Sequence, residues 1–216
     1  MPDQTDRTDI KIDGRIVGPI GTNCYLVANE STREGIIIDP GFEPERITAM
    51  VRKDGVKARA VLITHAHFDH ISKARETADA LGVPVLAPAA DQELMTNCHS
   101  NLSALMGYGS VTLVPDRLLE DKEILKLAGM EIHCLLTPGH TPGGMSYYIP
   151  AAKAVFSGDT LFLESVGRTD FPGGSMSAIV HSIRDVLMTL PDDTEVYPGH
   201  GALTTIGHER ENNPYL

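Results

Sequence analysis

The chain has 216 residues, of which 42% are hydrophobic, enough for one domain with a sizeable core. The formal net charge of −11 and the lack of any Lys/Arg run argue against nucleic-acid and membrane-surface partners. No apolar stretch could span a bilayer and segment 1–7 lacks a signal-peptide core, so we expect a cytoplasmic protein with one domain, 1–216. The scattered Cys24, Cys98 and Cys134 are expected to be reduced thiols.

The first part of the chain is typical of short strands followed by a helix. Residues 9–17 predict a strand, and 23–28 with 35–38 predict a hairpin around a polar turn. The isoleucine run of the second hairpin strand ends at Asp39. A helix is expected to begin near Pro44, because proline is favoured in the first turn.

The stretch Thr-His-Ala-His-Phe-Asp-His, residues 64–70, contains the strongest chemical signal. It follows the apolar run 60–63, which predicts a buried strand. Side chains alternate in extended chain, so His65 and His67 are expected to point the same way. The run holds four candidate ligands, a density that favours two adjacent divalent cations. They are His65, His67, Asp69 and His70.

The middle of the chain alternates between helical and extended patterns. A helix is predicted over 71–81, with Asp69 and His70 at its start, and a short strand over 83–87. Residues 89–95 are typical of a helix. The polar segment 97–109 is expected to be a loop bordering the site, followed by a short strand near 111–114.

The second half predicts five more strands and one clear helix. The strands are expected at 124–127, 130–136, 145–149, 154–157 and 195–197. Segment 164–174 has the composition of a loop, and Ser175 is placed to cap a following amphipathic helix. The tail 201–216 holds at most two helical turns.

Four strand-like runs each end in a candidate ligand. They precede His65, His140, Asp159 and His200. Strands that end at one edge of a sheet bring distant side chains into one cleft. The alternation of strands and helices, with several hairpins, predicts an α/β fold with mixed sheets.

The pattern His-x-His-x-Asp-His, followed by a separate His, Asp and His, resembles the metallo-β-lactamase superfamily over nearly the whole chain. The resemblance implies an αββα sandwich with two divalent metal ions at one edge. One ion would bind His65, His67 and His140, and the other Asp69, His70 and His200, with Asp159 bridging. Zinc is expected, although nitrogen and oxygen ligands also accept iron or manganese. Asp39 would orient a ligand histidine, and a plain turn role before Pro40-Gly41 is the alternative.

Further segments, including TPGHTPGG, FSGDTLF and GRTDFPGG, are similar to the single-domain, glyoxalase-II-like branch of that superfamily. The resemblance implies a thioesterase of the hydroxyacylglutathione hydrolase type, with a metal-bridging hydroxide as nucleophile. Asp69 would orient that hydroxide and take up its proton. The chain stops 16 residues after His200, without the helical domain that binds glutathione in full-length relatives. Glutathione thioesters and other acyl thioesters therefore both stay open as substrates.

Two interpretations of Arg168 stay open: it could bind a substrate carboxylate or pin its loop by pairing with Asp170. Three tail residues are candidate pocket walls: Asn212, Asn213 and Tyr215. Four histidines lie in loops or off apolar faces and are not expected to bind the metals: His99, His133, His181 and His208.

The nearest alternative function is a mononuclear iron persulfide dioxygenase of the same fold, which shares the GRTDF loop. Its iron would use His65, His140 and Asp159. The complete second ligand set favours the dinuclear hydrolase. A β-lactamase is less consistent with the sequence because such enzymes are usually exported and no export signal is visible. A nuclease would need a basic surface, which the acidic composition does not favour. A purely structural metal site is usually rich in cysteine ligands, and this pattern has none. The oligomeric state is left open.

Overall fold

The computed structural model describes residues 9–216 and forms two six-stranded sheets and a two-stranded ribbon. The first sheet contains, in spatial order, β1 (Ile10–Val17), β2 (Thr22–Asn29), β3 (Glu34–Ile38), β4 (Lys57–Leu62), β5 (Val85–Pro88) and β6 (Arg117–Leu119). The second contains β14 (Thr204–Thr205), β13 (Glu195–Pro198), β10 (Ala154–Gly158), β9 (Met145–Ile149), β8 (Met130–Leu136) and β7 (Ile124–Leu127). The ribbon pairs β11 (Leu161–Phe162) with β12 (Ser165–Val166).

Both sheets are mixed, as predicted. In the first sheet β3, β4, β5 and β6 run parallel, whereas β1, β2 and β3 form an antiparallel meander. In the second sheet only β10 and β13 are parallel neighbours. Parallel neighbours end at the same edge of their sheet, so the segments that follow β10 and β13 can meet at one edge of the second sheet, as can those that follow β4 and β5 in the first.

In the described part of the chain, six α-helices flank the sheets. They are α1 (Pro44–Lys53), α2 (Phe68–Ile71), α3 (Ala74–Leu81), α4 (Gln92–Thr96), α5 (Met176–His181) and α6 (Ile206–Asn212). α5 continues through a π-helical turn, Ser182–Val186, and a 3₁₀ turn, Leu187–Thr189. The two predicted helix starts are confirmed: Pro44 occupies the first turn of α1, and the Ser175 hydroxyl accepts the Ala178 N–H at 3.2 Å.

The layers follow from alternation along the strands. In β3, Ile36 and Ile38 enter the core between the sheets, whereas Ile37 packs on the opposite face against α1. On the outer face of the second sheet, Val155 packs against Ile179 of α5. The order is therefore helices, sheet, sheet, helices, which confirms the αββα sandwich.

The prediction of one helix over 71–81 was wrong, because the helical segment is divided into α2 and α3. The Ser72 hydroxyl donates to the Phe68 carbonyl, and Lys73 has a φ of −120°, outside the helical range. α3 ends at Gly82, whose φ of 67° suits glycine. α2 begins at Phe68 and includes both Asp69 and His70.

The strand predicted near 111–114 was also wrong. Val111 and Leu113 hydrogen-bond to the preceding segment: Ser103 accepts from the Val111 N–H, and Met95 from the Leu113 N–H. The backbone therefore lacks a neighbouring strand at this point. The edge strand β6 forms three residues later, where Arg117 pairs with Leu86.

The cysteines and the length of the helices bear on two expectations, that the thiols are reduced and that no segment spans a bilayer. Cys24 and Cys134 are buried in β2 and β8, and all three cysteines are free thiols. Among residues 9–216, no helix is both long and apolar enough to cross a bilayer. Segment 1–7, on which the signal-peptide expectation rests, lies outside the described residues.

Candidate metal centre

The seven predicted ligands lie together at one edge of the sandwich. β4 is followed by an extended segment that carries His65 and His67, and α2 supplies Asp69 and His70. The other three follow strands β8, β10 and β13 of the second sheet: His140, Asp159 and His200. The site therefore spans both sheets, and its geometry depends on how they pack.

The ligand atoms form three overlapping groups, each within 4.8 Å. The groups are His65, His67 and His140; Asp69, His70 and His200; and His65, His70 and Asp159. Asp159 reaches the first two, because its Oδ2 lies 3.5 Å from His140 Nε2 and its Oδ1 lies 3.6 Å from His70 Nε2. The first two groups contain the same residues as the two ligand sets that the resemblance implies, and Asp159 lies between them.

Several atoms of this cluster are buried without a hydrogen-bonding partner. They are Nε2 of His65, His67 and His70, and Oδ1 of Asp159. An unpaired buried polar atom costs about 1–3 kcal/mol, so such atoms normally have a function. Imidazole and carboxylate donors are suitable ligands for zinc, iron or manganese, and these residues fit a pair of such ions.

Four of the histidines use Nδ1 to hydrogen-bond the surrounding protein. The pairs are His65 with Thr64 Oγ1 at 3.1 Å, His70 with Asp39 Oδ2 at 2.9 Å, His140 with the Arg168 carbonyl at 2.7 Å, and His200 with the Gly21 carbonyl at 3.2 Å. In these four residues Nδ1–H donates, which leaves the lone pair on Nε2 to face the cluster. His67 differs, because its Nδ1 faces the cluster and lies 2.8 Å from His140 Nε2. Such outer hydrogen bonds orient metal-binding histidines.

Asp39 connects the two ligand groups. Its carboxylate accepts from the Thr64 N–H at 2.8 Å, the Thr64 hydroxyl at 2.6 Å and His70 Nδ1 at 2.9 Å. The Thr64 hydroxyl in turn accepts from His65. One buried carboxylate thus orients His70 directly and His65 through Thr64. Asp39 also forms the predicted turn, with a φ of 52°, so both interpretations describe contacts that it makes.

The electrostatics of the cluster favour neutral His65 and His67 and an ionised Asp69. Burial, followed by neighbouring imidazoles, lowers the pKa of His65 and His67 well below the usual range. Burial opposes ionisation of Asp69, yet His70 and His200 outweigh it and hold the Asp69 pKa well below its usual range. Neutral imidazole and charged carboxylate are the forms that bind metals.

Thr22, at the start of β2, is a contributor that sequence reasoning missed. Its buried hydroxyl donates to Asp69 Oδ2 at 2.8 Å. The same oxygen lies 3.1 Å from His200 Nε2 and 3.2 Å from His70 Nε2. Thr22 therefore restricts the orientation of the Asp69 carboxylate toward the cluster.

Asp91 is a second residue that sequence reasoning missed. It is fully buried, and its carboxylate accepts from the Ala66 N–H at 2.9 Å, the Thr141 hydroxyl at 2.8 Å and the Gly143 N–H at 2.6 Å. Ala66 lies between two ligand histidines and Thr141 follows His140. Asp91 thus fixes both backbone segments of the first ligand group. Its position just after β5, at the edge where the other strands end, is the signal that could have identified it.

We expect Asp91→Ala to weaken the first ligand group and the fold together. It leaves three donors unpaired, at about 1–3 kcal/mol for each that stays buried, so unfolding should become easier by about 3 kcal/mol or more. Zinc affinity at His65, His67 and His140 should fall about tenfold. Urea denaturation of metal-free protein and zinc titration measure the two effects. The exposed Asp79→Ala is the control, and unchanged zinc affinity would limit Asp91 to a folding role.

Gly199 lets the chain pass directly beside the bridging carboxylate. A Cβ at this position would overlap Asp159 Oδ1 and lie 2.9 Å from His70 Cε1. We expect Gly199→Ala to displace Asp159, reduce the metal content and lower activity about a hundredfold. Gly201→Ala is the matched control, because Gly201 has a φ of 77° and open space around it, so only about 1–2 kcal/mol of backbone strain is added. Equal effects of the two variants would contradict the overlap argument.

A cavity of about 280 Å³ opens above the cluster. The predicted border segment 97–109 contributes Leu102 and Met106 to its lining. Arg168 also lines it, while pairing with Asp170 through hydrogen bonds of 3.0 and 2.8 Å. The structure thus places Arg168 at the cavity and in the predicted ion pair, so both roles stay possible for its side chain.

The prediction that Asn212, Asn213 and Tyr215 line the pocket was wrong. None of the three belongs to the cavity lining. Asn213 instead donates to the Ser165 carbonyl at 3.1 Å and to Glu209 at 2.8 Å. The tail therefore contacts strand β12 of the ribbon through Asn213.

The four histidines that we did not expect to bind metal lie outside all three ligand groups within residues 9–216. His133 is 2.9 Å from Glu131, and His208 is 3.0 Å from Glu164. Both are surface pairs that have no access to the cluster.

The chain has extensive similarity to known proteins. A family model described as the metallo-beta-lactamase superfamily matches residues 17–200, which include all seven candidate ligands. The probable metallo-hydrolase YqgX of Bacillus subtilis is 37% identical, over 93% of this chain and 94% of that protein. Hydroxyacylglutathione hydrolase GloC of Haemophilus influenzae is 35% identical, over 90% and 92%.

Solved structures show the same fold. The BLEG-1 B3 metallo-beta-lactamase superposes with a TM-score of 0.91 at 36% identity, covering 95% of this chain and 99% of that one. TTHA1623 in a di-iron-bound form gives 0.82 at 38% identity, covering 94% and 100%. ETHE1 from Myxococcus xanthus gives 0.77 at 29% identity, covering 94% and 83%.

Proposed function

Because the chain belongs to the metallo-β-lactamase superfamily, we propose that it hydrolyses thioesters with two divalent cations held by its His and Asp cluster. The observation that supports this most directly is the position of Asp159, which reaches two complete three-residue ligand groups. The similarity to a hydrolase named for hydroxyacylglutathione supports a thioester as substrate. The similar protein TTHA1623 is known in a di-iron-bound form, which supports two ions and keeps iron open beside zinc as the metal of this chain.

Two divalent cations, when bound, lower the pKa of water from about 15.7 to about 7 and polarise a carbonyl oxygen. The protein residues orient the reactants around that chemistry. Asp69 Oδ2, fixed by Thr22, faces the cluster and is placed to orient the attacking water and receive its proton. The outer hydrogen bonds of the histidines keep Nε2 directed inward, so the site needs little rearrangement during the reaction.

The leaving group is the reason to prefer thioesters over amides. A thiol has a pKa of about 8.5, so a thiolate can depart without a proton donor, whereas an amine cannot. Among the described lining residues, Arg168 is the only ionisable side chain that is not a candidate metal ligand. Its pKa is raised further by the hydrogen bond to Asp170, which keeps it from releasing a proton. A thiolate leaving group therefore suits a site that has no dedicated proton donor among its described lining residues.

The alternative of a mononuclear iron dioxygenase would use His65, His140 and Asp159 alone. The second group, Asp69, His70 and His200, would then serve no purpose, although it is equally complete. Oxygen uptake with glutathione persulfide and one tightly bound iron would overturn the hydrolase proposal.

A substrate panel tests the proposal. Zinc-loaded protein is assayed on S-D-lactoylglutathione, simple acyl thioesters, the matching oxygen esters and amides, and a chromogenic β-lactam. We expect thioester hydrolysis at least a hundredfold faster than hydrolysis of the matching amides. The proposal fails if the fully metallated protein hydrolyses no thioester, or if the β-lactam is the best substrate.

A further inference from the structure

The cavity above the cluster has apolar walls contributed by separate parts of the chain. Its floor is formed by the ligand residues. Its apolar walls are formed by Ile20, Phe68, Leu102, Met106, Phe162 and Phe171. These come from the β1–β2 turn, α2, segment 97–109, the β11–β12 ribbon and the loop before α5. Because five segments contribute to it, this apolar wall forms only when the chain is folded. It adjoins the ligand residues, beside which the reacting carbonyl of a substrate would lie.

Apart from the ligand residues on its floor and the ions that they would hold, the cavity lining carries little charge to pair with a glutathione substrate. Among the lining residues of the described chain, the only Lys or Arg is Arg168. Its guanidinium pairs with Asp170 and lies 4.2 Å from the centre of the Phe171 ring. Glutathione carries two carboxylates and one ammonium group. The lining therefore provides one cation, already paired, for two anions, and an uncharged ligand loses less on leaving water.

The walls also present apolar surface that a ligand could cover. Met106 is 53% exposed and Ile20 is 44% exposed, although both line the cavity. Covering such surface is favourable, and each methylene moved from water to an apolar wall increases binding about fourfold. A substrate with an extended apolar group would gain this roughly fourfold increase in binding for each methylene that it buries.

Assuming the proposed thioester hydrolysis, we infer that this site selects thioesters with an uncharged apolar substituent over hydroxyacylglutathiones. The substituent lies against the wall of Met106, Phe162 and Phe171, while the carbonyl lies at the ligand cluster. Specificity then depends on apolar area and not on ion pairing.

Two series of neutral thioesters test the inference. One varies the acyl chain of N-acetylcysteamine thioesters from two to eight carbons, and the other varies the alkyl thiol of acetyl thioesters over the same range. We expect kcat/KM to rise up to about fourfold per methylene in at least one series, and to exceed that for S-D-lactoylglutathione by tenfold or more. Two flat series, or a higher kcat/KM for S-D-lactoylglutathione, would overturn the inference but leave thioester hydrolysis intact. Absence of any thioester hydrolysis would instead overturn the proposed function.

A pair of neighbouring variants provides the matched control. Met106→Gln keeps the side-chain length but adds polarity to the wall, and should lower the ratio of kcat/KM for the longest and shortest substrates about fivefold. Leu105→Gln changes a residue that is 70% exposed and outside the cavity lining, and should leave that ratio unchanged. An equal response of the two variants, or none in Met106→Gln, would contradict the assigned wall.

Discussion

Asp39→Asn is expected to weaken both ligand groups and to lower kcat/KM by about a hundredfold or more. The aspartate accepts three hydrogen bonds, from Thr64 and His70, and an amide would place an N–H against at least one of these donors. Loss of an outer partner costs about 10–100-fold in metal affinity or activity. Because His70 and, through Thr64, His65 both depend on Asp39, both ions should bind more weakly. Zinc titration and steady-state kinetics measure the two effects.

This substitution also separates the two interpretations of Asp39. Asparagine tolerates a left-handed backbone as well as aspartate does, so the turn at φ 52° should persist. The metal-free variant should therefore unfold within a few degrees of the parent protein. Asp79→Asn, in an exposed i,i+4 pair with Arg75, is the control for loss of a carboxylate. Normal zinc binding in Asp39→Asn would limit Asp39 to its role in the turn.

Asp69→Asn is expected to lower kcat about a thousandfold, even at zinc concentrations that restore both ions. The asparagine carbonyl can still accept from Thr22, so the local geometry is kept. The charge and the proton acceptor are lost, and proton transfer by a positioned side chain contributes about 10²–10⁴-fold to rate. Kinetics across a zinc series measure the effect.

Thr22→Val is the companion variant for Asp69. It removes the hydrogen bond but keeps the carboxylate, so we expect a loss of about tenfold or less. Full recovery of Asp69→Asn activity at high zinc would show that Asp69 acts only as a ligand. That result would remove it from the proton-transfer step.

The candidate ligands could be predicted from sequence because residue type and position both indicated them. His65, His140, Asp159 and His200 each follow an apolar strand run, and the structure brings these strand ends to one edge. These ligand positions depend on local patterns that are visible in single segments. The αββα layers were implied by the resemblance to the superfamily and not by periodicity, because β3 contains three consecutive isoleucines, although they pack on opposite faces of the sheet.

The supporting residues could not be predicted in the same way. Thr22 reaches Asp69 across 47 positions of sequence, and Asp91 reaches Thr141 across 50. Threonine and aspartate are common residues, and only the tertiary structure gives these two their partners. The break between α2 and α3 lies at Lys73, whose φ of −120° is outside the helical range, and helix periodicity does not encode such a local backbone conformation.

Activity measured during metal titration tests the central claim most directly. Metal-free protein is titrated with zinc while thioester hydrolysis is followed, in parallel with His200→Ala. A dinuclear hydrolase predicts that activity rises to a plateau at two equivalents of zinc. It also predicts that His200→Ala binds about one equivalent tightly and retains little activity. Full activity at one equivalent, or undiminished activity in His200→Ala, would contradict a mechanism that requires both ligand groups.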